Sequence, residues 1–128
     1  MASFQRFEEI IAWQKARILT RRIYEVTSEA GFSRDFGLSK QIQRSAVSIM
    51  ANIAEGHGRK TNKDFANFLV IAHASTAETQ SHLYIAIDLG YITQPIFAEL
   101  YSLLDEISRM TMALCRHLRE NPDKKIVY

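Results

Sequence analysis

Apolar residues recur at alternating steps of four and three along almost the whole chain. That spacing puts side chains on one face of an α-helix, whereas a half-buried strand needs strict alternation, which no segment sustains. Four such segments follow one another, separated by short stretches that contain Gly, Ser, Asp or Pro. Because short connections make consecutive helices antiparallel neighbours, the sequence predicts an all-α, up-down-up-down antiparallel four-helix bundle.

Residues that commonly cap or end helices bound the first two segments. The first helix is predicted to start near Phe7 and to run unbroken to a stop at Gly31. Ser39 is expected to cap the second helix, because a serine hydroxyl accepts a hydrogen bond from a free backbone amide. The second helix is predicted to end near Gly56 or Gly58.

The last two helices have equally clear start signals. Thr61 and Asp64 resemble a capping box, which predicts a third helix from there to Gly90. Thr93 and Pro95 indicate the start of the fourth helix, because proline is tolerated in the first helical turn. The loops between these helices are therefore expected to be short.

Bulk composition limits the class of protein. With 128 residues and 47% hydrophobic composition, the chain fits a single domain, predicted over residues 1–120, with a flexible tail over 121–128. The single cysteine, Cys115, excludes an internal disulfide and suits a reducing compartment. Neither a signal-like start nor an uncharged run of roughly 18 residues is present. A cytoplasmic protein without membrane contact is expected.

A row of polar residues runs along the second predicted helix. Its members are spaced by alternating steps of four and three, so they share one face. Apolar and small residues cover most of the remaining surface, and the helix is expected to have almost no face suited to water. The row comprises Gln41, Ser45, Ser48, Asn52, Glu55 and Arg59.

Polar residues of the third helix are expected to face this row. If the hairpin turns near Lys60, Arg44 lies close to Glu78 and the two form a candidate ion pair. Ser75 and His82 share a face with Glu78. Such groups either satisfy one another within a bundle or subunit interface, or bind a ligand. The predicted structural seam consists of Arg44, Ser48, Asn52, Glu55 and Glu78.

Three segments, IAWQKARIL, QIQRSAVSIMANIAEGHGR and FLVIAHASTAETQSHLYIAIDLGYI, resemble one protein family in the same order. It is the four-helix bundle family linked to intervening sequences in bacterial 23S rRNA genes. The resemblance implies a bundle that assembles as a barrel-like homopentamer. The family is similar to the accessory protein of diversity-generating retroelements, which binds nucleic acid and a reverse transcriptase. The chain departs from the family pattern at Met50, where proline is common, and at Ser33.

Basic residues of the first helix and of the loop after the second form a candidate nucleic-acid-binding surface. Such cations bind RNA or DNA phosphates with little sequence preference. Alternatively, they are solvated or pair with Glu25 and Glu29. The candidates are Lys15, Arg17, Arg21, Arg22, Arg59, Lys60 and Lys63.

No residue pattern indicates catalysis, a cofactor or a metal. Glu78 and His82 are four residues apart, whereas carboxylate-bridged bundles use Glu-x-x-His pairs from two helices. A Gly-rich phosphate loop and an activated nucleophile are also missing. The sequence therefore predicts a non-enzymatic protein with no cofactor and no small-molecule substrate. Two hypotheses remain: a homo-oligomeric structural protein, with five subunits expected, and a nucleic-acid-binding accessory module.

Overall fold

Four long helices and no strand account for residues 4–123, the part of the chain that the computed structural model describes. This confirms the predicted all-α fold. Most of the predicted tail, residues 124–128, lies outside the described residues. A 3-10 turn, Phe7–Glu9, precedes α1 (Ile11–Thr27), α2 (Ala30–Ser33), α3 (Phe36–His57), α4 (Asn62–Asp88) and α5 (Gln94–Arg119).

The four long helices form a ring in which each packs against two neighbours. α4 packs against α3 and α5, and α1 closes the ring by contacting both α3 and α5. The four-and-three apolar residues meet in the centre, where Leu19, Ile49, Leu69 and Leu104 are fully buried. Each such side chain contributes about 1.5–3 kcal/mol through burial. The sequential contacts are those of the predicted four-helix bundle.

The predicted start signals of the last two helices are confirmed. Thr61 Oγ1 accepts a hydrogen bond from the Asp64 amide at 3.2 Å, and Thr93 Oγ1 accepts one from the Ile96 amide at 3.4 Å. α4 ends just before Gly90, whose φ of 74° is the left-handed conformation that glycine adopts without steric cost. The α3–α4 and α4–α5 connections are short as a result.

The first helix is shorter than predicted. α1 stops at Thr27, and α2 is a separate turn, so the expected unbroken helix to a stop at Gly31 is wrong. At the break, the Ser28 hydroxyl donates to the Glu25 carbonyl at 2.6 Å, competing with continued backbone bonding. The change of direction buries Phe32 completely.

The cap of α3 also differs from the prediction. Asp35, not Ser39, is the N-cap, and its carboxylate accepts a hydrogen bond from the Leu38 amide at 3.1 Å. The helix therefore begins one turn earlier, and the buried Ser39 hydroxyl donates to the Phe32 carbonyl at 2.8 Å. Asp35 also accepts from the Tyr91 hydroxyl at 3.0 Å, and this hydrogen bond raises the pKa of Tyr91.

Close packing of α3 on α4 depends on Gly56. A Cβ atom at this position would lie 2.7 Å from Phe68 Cβ and 2.9 Å from Phe65 Cδ1. Both distances are shorter than van der Waals contact, and the Cβ of Phe68 can move only with its backbone. α3 and α4 can therefore approach this closely only because position 56 has no side chain.

We expect Gly56→Ala to lower the free energy of unfolding by about 1–3 kcal/mol, because overpacking forces the two helices apart. The higher helix propensity of alanine, about 1 kcal/mol, offsets only part of this loss. Gly37→Ala in the same helix is the control, since its nearest non-neighbouring atom would be Asp35 Oδ1 at 3.8 Å. Urea denaturation measures both variants, and equal stability would contradict the packing argument.

Candidate functional site

The predicted polar seam places hydroxyl groups between α3 and α4. Thr79 donates to Ser45 Oγ at 2.8 Å, and the Ser48 and Ser75 hydroxyls are 3.0 Å apart. Asn52 Nδ2 donates to Ser48 Oγ at 3.0 Å. These contacts bring Ser75 against the seam, as expected for the two helices. The inner part of the seam is therefore a row of neutral, mutually satisfied groups.

The charged members of the predicted seam lie at the surface of the chain. Arg44 is exposed and makes no ion pair with any residue of 4–123, and Glu78 instead contacts His82 Nε2 at 3.4 Å. Glu55 is also exposed and pairs with Arg59 at 3.2 Å. Within one chain, the predicted Arg44–Glu78 ion pair is therefore wrong.

The register explains this error. Ser45 contacts Thr79, so Arg44 and Glu78 are at nearly the same height along the hairpin. However, each precedes its contacting neighbour by one residue, and one residue turns the side chain by about 100° around the helix. Both charges consequently point away from the contact between α3 and α4. The height was predictable from sequence, but the rotation was not.

The expectation that the second predicted helix lacks a wetted face is also wrong. That helix, α3, exposes Lys40, Gln41, Arg44 and Glu55. Five of the ten large apolar residues that are exposed in the described part of the chain lie on α4 or at its C-cap, and Glu78 is the only Asp, Glu, Lys or Arg from residue 65 to residue 87. The exposed fractions of its large apolar residues are 38–56%. We call these residues, four of α4 and its C-cap, the α4 outer surface: Val70, Ile71, Tyr84, Ile85 and Leu89.

Two of the four candidate cations on α1 are engaged by α5. Lys15 Nζ is 3.2 Å from Glu106 Oε1. Arg22 makes two hydrogen bonds to Glu99, at 2.9 and 3.1 Å, which favour the charged guanidinium and raise the pKa of Arg22. These ion pairs link α1 to α5. Because a carboxylate offsets each cation, Lys15 and Arg22 attract an anion less than unpaired cations do.

The other two cations are more open. Arg21 has 85% of its side chain exposed and only a long contact of 3.8 Å with Glu25. The guanidinium carbon of Arg17 lies 5.9 Å from the centre of the Trp13 ring. The alternative interpretation, in which α1 cations pair with Glu25, therefore describes part of this group.

The loop cations occupy the end of the bundle where α3 meets α4. The Arg59 guanidinium lies over the Phe68 ring, 4.6 Å from its centre. Lys60 and Lys63 are exposed. The Lys63 amide donates to the Pro122 carbonyl at 2.9 Å, which ties the segment after α5 to the start of α4.

One groove was not identified from sequence. It lies between α4 and α5, has a volume of about 400 Å³ and is lined by His73, Ser108, Arg109, Met112, Ala113 and Arg116. The sequence signal that could have indicated this groove is its charge, since no Asp or Glu occurs from residue 107 to residue 119.

Two other structural properties bear on function. Within residues 4–123, no group of three potential metal-ligating side chains comes together. No helix in the same described part is both long and apolar enough to cross a bilayer.

We expect Thr79→Val to lower the free energy of unfolding by about 0.5–1.5 kcal/mol, because the variant keeps the shape but loses a buried hydrogen bond. Glu55→Ala is the comparison, with an expected loss of no more than about 0.5 kcal/mol for an exposed pair. Thermal or urea denaturation at dilute protein concentration measures both. A larger loss for Glu55→Ala would contradict this division of the seam.

Both the sequence and the fold of this chain match known proteins. The family model described as "23S rRNA-intervening sequence protein" matches residues 8–113. The chain is similar to the crystal structure of a protein of unknown function from the S23 ribosomal protein family of Bacteroides thetaiotaomicron VPI-5482, with 29% identity and a TM-score of 0.75. The similarity covers 82% of this chain and 98% of that chain. No curated protein matches.

Proposed function

The chain belongs to the family of 23S rRNA-intervening sequence proteins, and we propose that it is a non-enzymatic protein whose bundle assembles with further copies of itself. The α4 outer surface carries this proposal. Its five large apolar residues are exposed in the single chain, and Glu78 and Asp88 are the only Asp, Glu, Lys or Arg from residue 70 to residue 89. Large apolar side chains exposed along one helix are typical of interaction sites.

A second copy is the proposed occupant because the exposed charges are complementary. Among residues 4–123, Arg44 on α3 has no ion-pair partner, and Glu78 contacts His82 of the same helix. Contact between α3 of one copy and α4 of the next pairs these opposite charges beside the apolar residues. This arrangement gives Arg44 and Glu78 a structural role between subunits, whereas Ser48 and Asn52 of the seam act within one chain. A closed ring, with five copies as the family resemblance implies, leaves no such surface open.

Light scattering coupled to gel filtration is expected to show a multiple of the 14.7 kDa chain mass at micromolar concentration. Ile71→Glu combined with Ile85→Glu should shift the protein to the monomer, because two carboxylates would be buried without partners. Ile18→Glu on α1, where Ile18 is 61% exposed, is the matched control and should leave the mass unchanged. A wild-type monomer would contradict the proposal, whereas a different multiple would change only the number of subunits.

Charge exchange tests the pairing itself. Arg44→Glu and Glu78→Arg should each weaken assembly by about tenfold or more in dissociation constant, and the double exchange should restore most of it. A double variant as weak as the singles would exclude this pair from the interface.

The second candidate function is binding of RNA or DNA, favoured by the open positions of Arg17 and Arg21. Lys60, Lys63 and Arg59 would add cations at one end of the bundle, and each copy in an assembly would repeat both groups. A reverse transcriptase partner belongs to this candidate through the family resemblance alone.

If nucleic acid binds α1, affinity for a single-stranded RNA should fall steeply between roughly 50 and 200 mM salt. Arg17→Glu with Arg21→Glu should abolish the mobility shift, whereas Lys15→Gln should change it little, because Lys15 already pairs with Glu106. A shift unaffected by the double variant would exclude the α1 surface.

A further inference from the structure

Arg109 and Arg116 form an unneutralised pair of cations on the outer side of α5. Both are exposed and line the α4–α5 groove, and neither makes an ion pair with any residue of 4–123. They are seven residues apart, or about 10.5 Å along the helix axis, and so share one face. In this they differ from Lys15 and Arg22 of α1, which have carboxylate partners.

The acids at helical spacing from these two arginines are engaged elsewhere. Asp105, four residues before Arg109, accepts a hydrogen bond from Gln80 at 2.8 Å. Glu106, three residues before Arg109, pairs with Lys15 of α1 at 3.2 Å. Four residues after Arg116, Glu120 contacts His117 at 3.5 Å. Each of the three acids at helical spacing therefore contacts another group, and none makes an ion pair with Arg109 or Arg116.

A polar pair on the groove wall, the Ser108 hydroxyl and the His73 ring, accompanies the two charges. Ser108 Oγ lies 2.8 Å from His73 Nδ1, although a serine within a helix more commonly bonds to a carbonyl one turn earlier. When the hydroxyl donates to Nδ1, the proton of the neutral ring is on Nε2. Nε2 is then a hydrogen-bond donor on a half-buried ring that lines the groove. Two guanidinium groups and an imidazole thus surround a cavity with no carboxylate.

We propose that the α4–α5 groove is a binding site for phosphate groups. Arginine is suited to this ligand because its planar fork donates two parallel hydrogen bonds to phosphate oxygens. The cavity of about 400 Å³ is larger than one phosphate, and the apolar side chain of Met112 lines it between the two arginines. A ligand with two phosphates, or with a phosphate and a flat organic part, matches this combination. Free phosphorylated compounds and nucleic-acid strands both supply that chemistry.

The site shares no residue with the α4 outer surface or with the α1 cations, so its test has an independent outcome. Isothermal titration of the intact protein at low salt, with pyrophosphate, ADP and a short single-stranded RNA as probes, is expected to give saturable binding. Arg109→Gln combined with Arg116→Gln should weaken binding of the effective probe at least about tenfold. Arg17→Gln combined with Arg21→Gln is the control of equal charge loss and should change it less than about twofold.

The probes distinguish the source of the phosphate. Similar affinity for pyrophosphate or ADP and for RNA would indicate a free phosphorylated compound, and much tighter RNA binding would indicate a strand. Light scattering and circular dichroism should be the same for the variant and the wild type. Binding by none of the three probes, or an equal loss in the control variant, would overturn the proposal.

Discussion

The close contact of α3 with α4 is the constraint on which the other surfaces of the molecule depend. Gly56 lets the helices approach at one end, and the Ser48–Ser75 and Ser45–Thr79 hydroxyl pairs join them farther along. Small side chains and short hydrogen bonds hold the helices at one distance and in one register. That register decides which residues of both helices face solvent.

Neutral groups occupy the inside of this contact, and charges stay outside it. Burying an ion pair between two helices removes both charges from water, and their attraction does not reliably compensate for that loss. Hydroxyls satisfy one another, or a carbonyl of their own helix, at much lower cost: Thr79 Oγ1 lies 2.8 Å from both Ser45 Oγ and the Ser75 carbonyl oxygen. Arg44 and Glu78, turned outward by a single residue step, remain available to a partner.

The sequence was informative wherever a local signal decides the structure. Apolar spacing, the Thr61 and Thr93 caps and the stop before Gly90 were predictable because each depends on residues within one or two turns. The break at Thr27 was not, because it depends on burying Phe32 against Tyr91, whose rings stack at 5.2 Å. The Asp35 cap is itself a local signal, and the prediction chose Ser39 in its place. In the candidate site, the hydroxyl row was visible as a helical stripe, but the rotation that separates Arg44 from Glu78 is set by packing.

Which cations have an ion-pair partner is likewise decided by tertiary packing and cannot be predicted from sequence. Sequence gives equal weight to the cations of α1, yet Arg22 is held by Glu99 of α5, seventy-seven positions away, and Arg21 is not. Contacts with other helices also engage the acids of α5. Lys15 of α1 forms an ion pair with Glu106, and Gln80 of α4 donates a hydrogen bond to Asp105. Ion pairs between α1 and α5 thus neutralise part of the basic first helix. Because Glu106 and Asp105 contact other residues, Arg109 makes no ion pair with either. The anion-attracting surface of this protein is a consequence of helix pairing, and counting charges along the chain cannot locate it.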